Sequence, residues 1–428
     1  MYIFPNNEYF CGMKRQLTIL ALALMGIQAS AFRVEVENLS DKTKTDHPVV
    51  LDLSAYKHVS GCRVTCNGQE VPCQLDDLDQ DGRFDELCFL TDLGPKEHKR
   101  FEVDWIRRGP MPSYPARVYA EMLVRNDKVK EKNKHDNFVE SITVRGDCAN
   151  PFNVLHHHGV AFESELNGIR IYFDQRQTPD LYGKFQKRLE LQQTQFYTSD
   201  KQKTEGYGDD VLWVGNTFGL GAFRGYDANT MKPTMIEPVK SRTQRIISYG
   251  PLRTIVEVVD KGWQTDSISL PVNMTIRYTQ YAGHRDTDID VFFSHSQMTN
   301  TFTTGIINVK GSTEYTDHRG TRACWGTDYP STDHAKWKPE TVGLAIYIPN
   351  KYIAKEFAPD NDNYGFAVRH QDRHISYKVA YCSANESFGF HSSKEWFDWV
   401  KAWSEDVQNS RVSVAVEREE EEDMIIRR

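Results

Sequence analysis

Alternation of apolar and polar residues is the feature that most constrains the fold of this chain of 428 residues. Two clear examples are the segments 272–278 (VNMTIRY) and 286–293 (DTDIDVFF), where apolar side chains recur at every second position. Successive side chains of a β-strand point to opposite faces of the sheet, so this pattern predicts strands with one face packed on a core. The β-branched segment 254–259 (TIVEVV) favours the same structure. The sequence therefore predicts an all-β protein.

A short stretch rich in proline divides the chain. The segment 107–115 (RRGPMPSYP) carries three prolines and one glycine without an apolar period, which is typical of a linker. We therefore predict a small β-sandwich module over residues 32–106 and a large antiparallel β-supersandwich over residues 116–416, before a charged tail at 417–428. One C-terminal amphipathic helix is also predicted, because a capping-box signature at Ser392 precedes a one-sided run of tryptophans.

The first 31 residues have the composition of an upstream extension and a secretory signal peptide. Lys14 and Arg15 precede an apolar run at 17–27, and the small residues 29–31 (ASA) follow it. The run is shorter than the roughly 20 residues that a membrane-spanning helix needs. The sequence thus predicts a secreted, periplasmic protein without a membrane span.

The charge balance argues against one large class of partners. The chain carries 52 Lys and Arg residues against 60 Asp and Glu residues, a formal net charge of -8. No basic stripe offsets this balance, so we expect no nucleic-acid partner. The glycine-rich segment 206–215 lacks the lysine and the helix of a phosphate-binding loop, and we expect no organic cofactor. Aromatic residues, 12% of the chain, favour an oligosaccharide partner, because aromatic rings stack on sugars.

Ionisable residues are most concentrated between residues 156 and 184, which begin with three consecutive histidines. A strand pattern follows, with an apolar face made of Ile169, Ile171 and Phe173 and a polar face made of Arg170, Tyr172 and Asp174. By the same alternation, we expect His156 and His158 to share a face and His157 to point away from it. The density of charge predicts the rim of a functional site.

The same segment resembles the DUF4861 family, a domain of unknown function. The family's histidine-glycine-x-alanine-phenylalanine-glutamate, tyrosine-phenylalanine-aspartate and aspartate-x-tyrosine-glycine-lysine elements correspond to residues 158–163 (HGVAFE), 172–174 (YFD) and 180–184 (DLYGK). The similarity continues through the segments 206–212, 250–254 and 281–285. A long sandwich behind a small β-module also resembles the galactose-mutarotase-like supersandwich of many sugar-active enzymes. Such an analogy implies a fold and a biological setting rather than a reaction.

We expect a secreted carbohydrate-active enzyme that acts on oligosaccharides containing uronic acid, by the β-elimination of a polysaccharide lyase. The reaction needs a cation for the carboxylate, a base for the C5 proton and an acid for the leaving oxygen. The candidates are Arg176, Lys184 and Arg285 as cations, His156, His158 and His284 as bases, and Tyr182 as the acid. The expected substrate-binding residues are Glu163, Arg170, Tyr172, Asp174, Tyr207, Trp213 and Trp325.

Other functions remain open. A glycoside hydrolase needs two carboxylates roughly 5 to 9.5 Å apart, and Glu163 and Glu165 would lie about 7 Å apart on one strand face. A sugar epimerase is a further possibility on the same scaffold. In a non-catalytic glycan-binding protein, the aromatic residues would contact the sugar and the histidines would have no chemical role.

An acidic loop in the first module has the spacing of a calcium site. Positions one, three, five and nine of the loop are Asp77, Asp79, Asp81 and Asp85. Glycine at position six permits the sharp turn. Position twelve is Cys88, so a regular EF-hand is excluded unless Glu86 supplies the missing carboxylate. The loop predicts a structural calcium ion, and the alternative is a turn whose carboxylates cap backbone amides.

Overall fold

A computed structural model gives the architecture of the protein. It describes residues 32–56, 59–106, 109–126, 128, 135–146, 151–264, 270–295 and 301–418. The predicted signal peptide, the first two residues of the predicted linker and most of the predicted tail lie outside the described residues. Antiparallel sheets dominate the described chain, which confirms the all-β prediction.

The N-terminal module is a sandwich of two sheets. Its strands are β1 (Phe32–Asn38), β2 (Lys44–Asp52), β3 (Cys62–Cys66), β4 (Gln69–Val71), β5 (Cys73–Asp76), β6 (Glu86–Leu93) and β7 (His98–Trp105). One sheet contains β1-β7-β3-β4 and the other contains β2-β6-β5. Alternate residues of both sheets, such as Val34, Phe89 and Phe101, meet in one apolar core, as period-two strands require.

The larger part of the chain contains three more sheets. Its strands are β8 (Val118–Glu121), β9 (Ser141–Arg145), β10 (Gly159–Ser164), β11 (Gly168–Tyr172), β12 (Pro179–Gly183), β13 (Asp209–Asp210), β14 (Arg224–Asp227), β15 (Lys232–Thr234), β16 (Ser241–Tyr249), β17 (Arg253–Trp263), β18 (Val272–Tyr281), β19 (Asp286–Phe293), β20 (Phe302–Ile307), β21 (Thr313–Thr316), β22 (Thr321–Asp328), β23 (Glu340–Tyr347), β24 (Ile353–Glu356), β25 (Asn363–Val368) and β26 (His374–Ser383). The nine-stranded sheet has the order β21-β22-β23-β26-β19-β18-β17-β16-β9, and the two five-stranded sheets are β13-β12-β11-β10-β8 and β15-β14-β20-β25-β24. All three contribute to one apolar core, exemplified by Ile276, Ile169 and Phe366.

The last strand returns to the N-terminal module. β27 (Val412–Arg418) pairs antiparallel with β1, with Val416 opposite Val34. The sequence placed these residues in the large domain and the charged tail, so the structure differs there. The physical reason is that β1 would otherwise leave an open sheet edge, which an alternating segment can pair with.

Helices are few in the described chain. They are α1 (Leu191–Thr194), α2 (Asp200–Thr204), α3 (Ser393–Gln408) and the 3-10 turns Pro151–Asn153 and Asn350–Tyr352. α3 confirms the predicted C-terminal helix, and the Ser392 hydroxyl accepts the amide of Glu395 at its start. Trp396 and Val400 pack on Ala345, on the face of the nine-stranded sheet turned away from the main core. No helix in the part of the chain that the structure describes has the length and apolarity needed to cross a membrane.

Candidate functional site

Strand β11 carries polar residues of the predicted site, and its alternation is as predicted. Arg170 Nη2 donates to the carboxylates of Asp180 (2.6 Å) and Asp210 (2.8 Å) and to the Tyr172 hydroxyl (3.1 Å). The Tyr172 hydroxyl donates in turn to Asp180 (2.7 Å). Burial raises the pKa of Asp210 and of Tyr172 well above their usual ranges. Because Arg170 is buried and bonded to protein partners, we assign it to the support of the site rather than to substrate contact.

Two partly exposed ionisable groups, His158 and Arg176, lie beside the ring of Phe152. We call Phe152, His158, Tyr172, Asp174 and Arg176 the His158 cluster. The His158 ring stacks on Phe152, with centroids 3.9 Å apart. Arg176 Cζ lies 5.1 Å from the centre of the Phe152 ring and 5.0 Å from that of Tyr172. Asp174 fixes Arg176 through its Nε (2.8 Å), and 20% of the Arg176 side chain remains exposed. One imidazole and one guanidinium thus share an aromatic platform.

Hydrogen bonding fixes the tautomer of His158. Its Nδ1 lies 2.9 Å from the backbone oxygen of Phe152. A carbonyl oxygen only accepts, so Nδ1 carries the proton and Nε2 keeps its lone pair. Burial lowers the pKa of His158 to about 4, and the ring is neutral near pH 7. His158 also has a φ of 70°, a strained backbone conformation of the kind that is concentrated at functional sites.

The three histidines do not lie on a strand. They form a turn before β10, and the positive φ of His158 is incompatible with a strand. The prediction that His156 and His158 share a strand face was therefore wrong. His157 is fully buried and its Nε2 lies 3.1 Å from Glu121. His156 is also buried, and neither of its ring nitrogens has a hydrogen-bond partner among the described residues.

Tyr182 and Lys184, which the sequence proposed as acid and cation, are enclosed in the protein. The Tyr182 hydroxyl lies 3.0 Å from Glu190 and 2.8 Å from the backbone oxygen of Gly208. Lys184 Nζ lies 2.6 Å from the Glu163 carboxylate and donates to two backbone oxygens. With their polar atoms bonded to protein groups, Tyr182, Lys184 and Glu163 lack the exposure that contact with a substrate requires. They occupy buried supporting positions in β10 and β12 or directly after β12.

His284 lies beside the N-terminal module and Arg285 lies beside Glu386, so neither belongs to the His158 cluster. His284 Nε2 is 2.9 Å from the backbone oxygen of Asp46 in β2, and Arg285 is buried and ion-paired. The backbone oxygen of His284 accepts the Ser164 hydroxyl (3.1 Å). Ser164 ends β10, whereas His158 precedes its first residue, and a strand of that length spans roughly 17 Å. The structure does not bring the two histidines together.

The carboxylates expected of a hydrolase belong to separate networks. Glu165 lies beyond the end of β10 and accepts Arg117 (2.5 Å) and the amide of Gly283 (2.8 Å). Glu163 is held by Lys184 and is fully buried. The pair therefore does not face a common cleft.

Besides Tyr172, three aromatic residues expected to contact sugar lie in different places. Trp213 is 52% exposed and its indole lies against Gly215, whose backbone oxygen accepts Arg176 Nη1 (3.4 Å). Tyr207 is covered by a guanidinium 3.8 Å from its ring centre, and Trp325 packs beside α3. Of the three, Trp213 adjoins the His158 cluster.

Two aromatic residues of the site carry no sequence signal. Phe152 lies in a 3-10 turn, and Tyr197 lies in a loop after α1. The Tyr197 ring is 5.5 Å from that of His156, and its hydroxyl accepts Arg170 Nη1 (3.4 Å). Burial raises the pKa of Tyr197, so that its hydroxyl stays protonated. Only the folding of distant loops onto β11 brings these rings to the site.

The acidic loop between β5 and β6 gathers three of its four predicted calcium ligands. Carboxylate oxygens of Asp77, Asp79 and Asp85 lie within 4.8 Å of one another, and they form the only such metal-type group among the described residues. Asp81 is outside this group, and Glu86 pairs with an arginine. The carboxylates of Asp77, Asp81 and Asp85 also accept backbone amides of the loop, as the alternative of a capped turn requires. The calcium ion stays a prediction.

A protein-family model matches most of the chain. A model of the domain of unknown function DUF4861 matches residues 36–414. No curated protein sequence matches the chain.

Three solved structures are similar to this chain at low sequence identity. An alpha-mannosidase from Enterococcus faecalis has 10% identity and a TM-score of 0.44, covering 90% of this chain and 46% of its own. A glycosyl hydrolase family 38 protein from the same organism has 9% identity and a TM-score of 0.44, covering 90% and 47%. A protein assigned as an aldose 1-epimerase from Klebsiella pneumoniae has 8% identity and a TM-score of 0.30, covering 69% and 97%. This chain spans about half the length of the first two.

Proposed function

The chain belongs to the DUF4861 family, and from this premise we propose that it is a secreted carbohydrate-active enzyme that cleaves oligosaccharides containing uronic acid by β-elimination. The family description names no reaction, so the proposal depends on the residues of the site. One observation carries the proposal: a neutral histidine with an available Nε2 shares an aromatic platform with a partly exposed arginine.

The proposed reaction removes the C5 proton of the uronic acid and breaks the bond between C4 and the leaving oxygen. Arg176 binds the carboxylate, which makes the C5 proton more acidic by neutralising charge that develops in the transition state. His158 Nε2 accepts that proton. Asp174 holds the Arg176 guanidinium at 2.8 Å, so the cation is oriented before the substrate arrives.

The base gains strength when an anionic substrate binds. In the protein alone, burial lowers the pKa of His158 to about 4, which makes the imidazole a weak base. A carboxylate bound beside the ring favours the imidazolium form and raises that pKa. The proposal thus predicts that neutral sugars react poorly even where they fit the site.

The leaving oxygen needs a proton, and we assign this role to Tyr197. Its pKa is raised by burial, so it carries a proton at neutral pH. Its ring is half-buried and is linked to the His158 cluster through Arg170, which donates to both Tyr197 and Tyr172. Tyr182 is too deeply buried to serve.

Product analysis tests the proposal directly. The protein is incubated with a panel of uronate-containing oligosaccharides while ultraviolet absorbance of an unsaturated product and new reducing ends are followed. Both signals together are expected. New ends without absorbance would indicate a hydrolase, and binding without either signal would indicate a glycan-binding protein and contradict the enzyme proposal.

Variants test the assignment of residues. His158→Gln and Arg176→Gln are each expected to lower kcat/KM by roughly 100-fold or more, because each removes a group that acts in the transition state. Tyr197→Phe is expected to lower kcat more than it changes KM. His391→Gln, at an exposed histidine before α3, is the matched control and should retain activity. Full activity of the His158 and Arg176 variants, with an unchanged thermal transition, would show that the site lies elsewhere.

A further inference from the structure

Arg224, the first residue of β14, is a buried cation without an ion pair among the described residues. Its side chain is 2% exposed. Its two Nη atoms donate to neutral oxygens only: the Thr178 hydroxyl (2.8 Å) and the backbone oxygens of Thr217 (3.2 Å), Phe223 (3.2 Å) and Arg176. No hydrogen bond of its Nε is found in the described chain.

Arg224 differs in this respect from the other buried arginines of the described chain. Those arginines each form an ion pair with a carboxylate, and they are Arg170, Arg242, Arg253, Arg285 and Arg322. A buried charge without a counter-ion is costly, so proteins normally pair it. The cost also shows in the pKa of Arg224, which burial lowers to about 10. An anionic ligand from outside the chain would offset this cost of burying the Arg224 charge.

A cavity gives such a partner room. It measures about 360 Å³, within the range of roughly 300–1,000 Å³ that is usual for small-molecule sites. Arg224 and Phe218 are the buried part of its lining, while Lys232, Asn216 and Asn361 are exposed at its rim. The lining thus combines two cations with amide groups.

Two acids also line the cavity, but neither neutralises Arg224. Asp360 and Asp362 are exposed, and Asp360 accepts the backbone amides of Asp362 (2.8 Å) and Asn363 (2.7 Å). Asp174 is the acid whose charge acts most strongly on Arg224, but its carboxylate oxygen lies 2.5 Å from Arg176 Nη2. Arg224 therefore has no carboxylate of its own among the described residues, and the charge of Asp174 that acts on it is shared with Arg176.

The cavity adjoins the His158 cluster through Arg176. Arg224 donates to the backbone oxygen of Arg176, and Arg176 Nη1 donates to that of Gly215 (3.4 Å). Gly215 precedes Asn216 on the cavity rim, and the exposed indole of Trp213 lies against Gly215. Arg176 and Gly215 therefore connect the His158 cluster to the cavity.

We propose that this cavity binds an anionic substituent, a carboxylate or a sulfate ester, on a sugar next to the uronic acid held at the His158 cluster. A guanidinium, an ammonium and amide groups are the donors that such oxygens require. The identity of the ligand as part of an oligosaccharide rests on the proposed function, whereas the affinity for an anion does not.

Binding measurements test the anion site without turnover. Calorimetric titrations use sodium sulfate, sodium glucuronate and the neutral methyl glucoside, with sodium chloride at equal ionic strength as reference. We expect saturable binding of at least one anion and none of the neutral sugar. Sulfate without glucuronate assigns the site to a sulfate ester, and glucuronate without sulfate assigns it to a carboxylate.

Variants separate this cavity from the neighbouring cluster. Lys232→Gln, at an exposed lysine, is expected to raise the anion Kd about tenfold, and Arg176→Gln is expected to change it less. Lys394→Gln on α3 is the matched control. Arg224→Met is expected to abolish anion binding if the variant folds. If that variant does not fold, the effect of Lys232→Gln on the anion Kd decides whether the cavity is the anion site.

The outcomes distinguish this inference from the proposed function. Anion binding that Lys232→Gln weakens, without any turnover of oligosaccharides, would keep the anion site and refute the enzyme. Turnover together with no anion binding beyond chloride, or with binding that Lys232→Gln leaves unchanged, would refute the anion site and keep the enzyme.

Discussion

At the scale of single residues, burial decides the charge of the ionisable groups, as Glu121 and His157 show. Both side chains are fully enclosed, and His157 Nε2 lies 3.1 Å from Glu121 Oε1. Burial raises the pKa of Glu121 to about 8 and lowers that of His157 to about 3. Near neutral pH both groups are therefore uncharged, and their contact is a hydrogen bond between neutral partners rather than an ion pair.

A neutral glutamic acid can be replaced by an amide, and this gives a prediction for Glu121→Gln. Because the folded pKa of Glu121 is raised, its stabilising contribution is present below its ordinary pKa of 4.5 and is lost as pH rises through about 8. The amide does not titrate. We expect the variant to match the native protein at pH 5 and to exceed its free energy of unfolding by roughly 4 kcal/mol at pH 8.5.

Urea unfolding at the two pH values measures this difference. Glu395→Gln is the control, since Glu395 is exposed and hydrogen bonds from the backbone lower its pKa instead. A stability difference for Glu121→Gln that does not grow between pH 5 and pH 8.5 would mean that Glu121 is ionised in the folded protein.

The positions of individual site residues could be predicted where strand alternation decides which way a side chain points. They could not be predicted where loops distant in the sequence surround the side chain. Arg170 and Tyr172 point to one polar network because β11 alternates. Tyr182 is on the neighbouring strand, yet it is enclosed by Glu190 and Gly208, which no local pattern relates to it. Arg224 lies in an inconspicuous sequence, and its missing counter-ion is visible only after folding.

At the scale of elements, the loop between β5 and β6 provides a test of metal binding. If Asp77, Asp79 and Asp85 hold calcium, the ion relieves repulsion among three carboxylates that lie within 4.8 Å of one another. We expect millimolar calcium chloride to raise the thermal midpoint of the native protein by several degrees, since a ligand that binds only the folded state stabilises it.

Asp79→Asn is expected to abolish that response, whereas Asp92→Asn in β6, outside the loop, should preserve it. Magnesium serves as the ionic control. An equal midpoint with calcium and with a chelator would identify the loop as a capped turn without a metal.

Helix α3 gives a second prediction at this scale. Trp396 lies flat on Gly343 of β23, where an added Cβ would lie 2.7–2.8 Å from three atoms of the indole. Gly343→Ala should therefore destabilise the protein by about 1–3 kcal/mol, the usual cost of overpacking a core. Gly61→Ala is the matched control, because its Cβ would meet neighbours at ordinary distances of 3.4–3.7 Å. Denaturant midpoints compare the two variants, and equal values would show that the helix shifts without cost.

The sequence predicted the elements in which apolar residues recur with a regular local period. α3 has a cap at Ser392 and an apolar stripe, and β18 and β19 alternate cleanly. The prediction for the three histidines was wrong because the strand pattern in the sequence continues on the N-terminal side of Gly159. In the structure the backbone turns at His158. A single residue with positive φ ends a strand and leaves hydrophobic alternation unchanged.

At the scale of the whole molecule, polar groups join the N-terminal module to the large sheets. Arg253 in β17 donates to Asp76 (2.7 Å) and Glu86 (2.7 Å) of the module. Gln74 of β5 accepts the amides of Leu252 (2.8 Å) and Arg253 (3.1 Å). The pairing of β27 with β1 adds a second connection. A sequence predicts two modules from a proline-rich boundary, but such contacts between residues far apart in the chain carry no local signal.

These connections predict that the two parts unfold as one unit, and Arg253→Met tests this. The variant leaves the buried carboxylate of Asp76 without its cation, which typically costs about 3–5 kcal/mol. Calorimetry of the native protein should show a single transition, and the variant should unfold at a lower temperature, with the module separating first. Arg277→Met, which breaks an ion pair inside the nine-stranded sheet, should keep a single transition. Two transitions in the native protein would mean that the module folds independently and that the network does not couple it to the site.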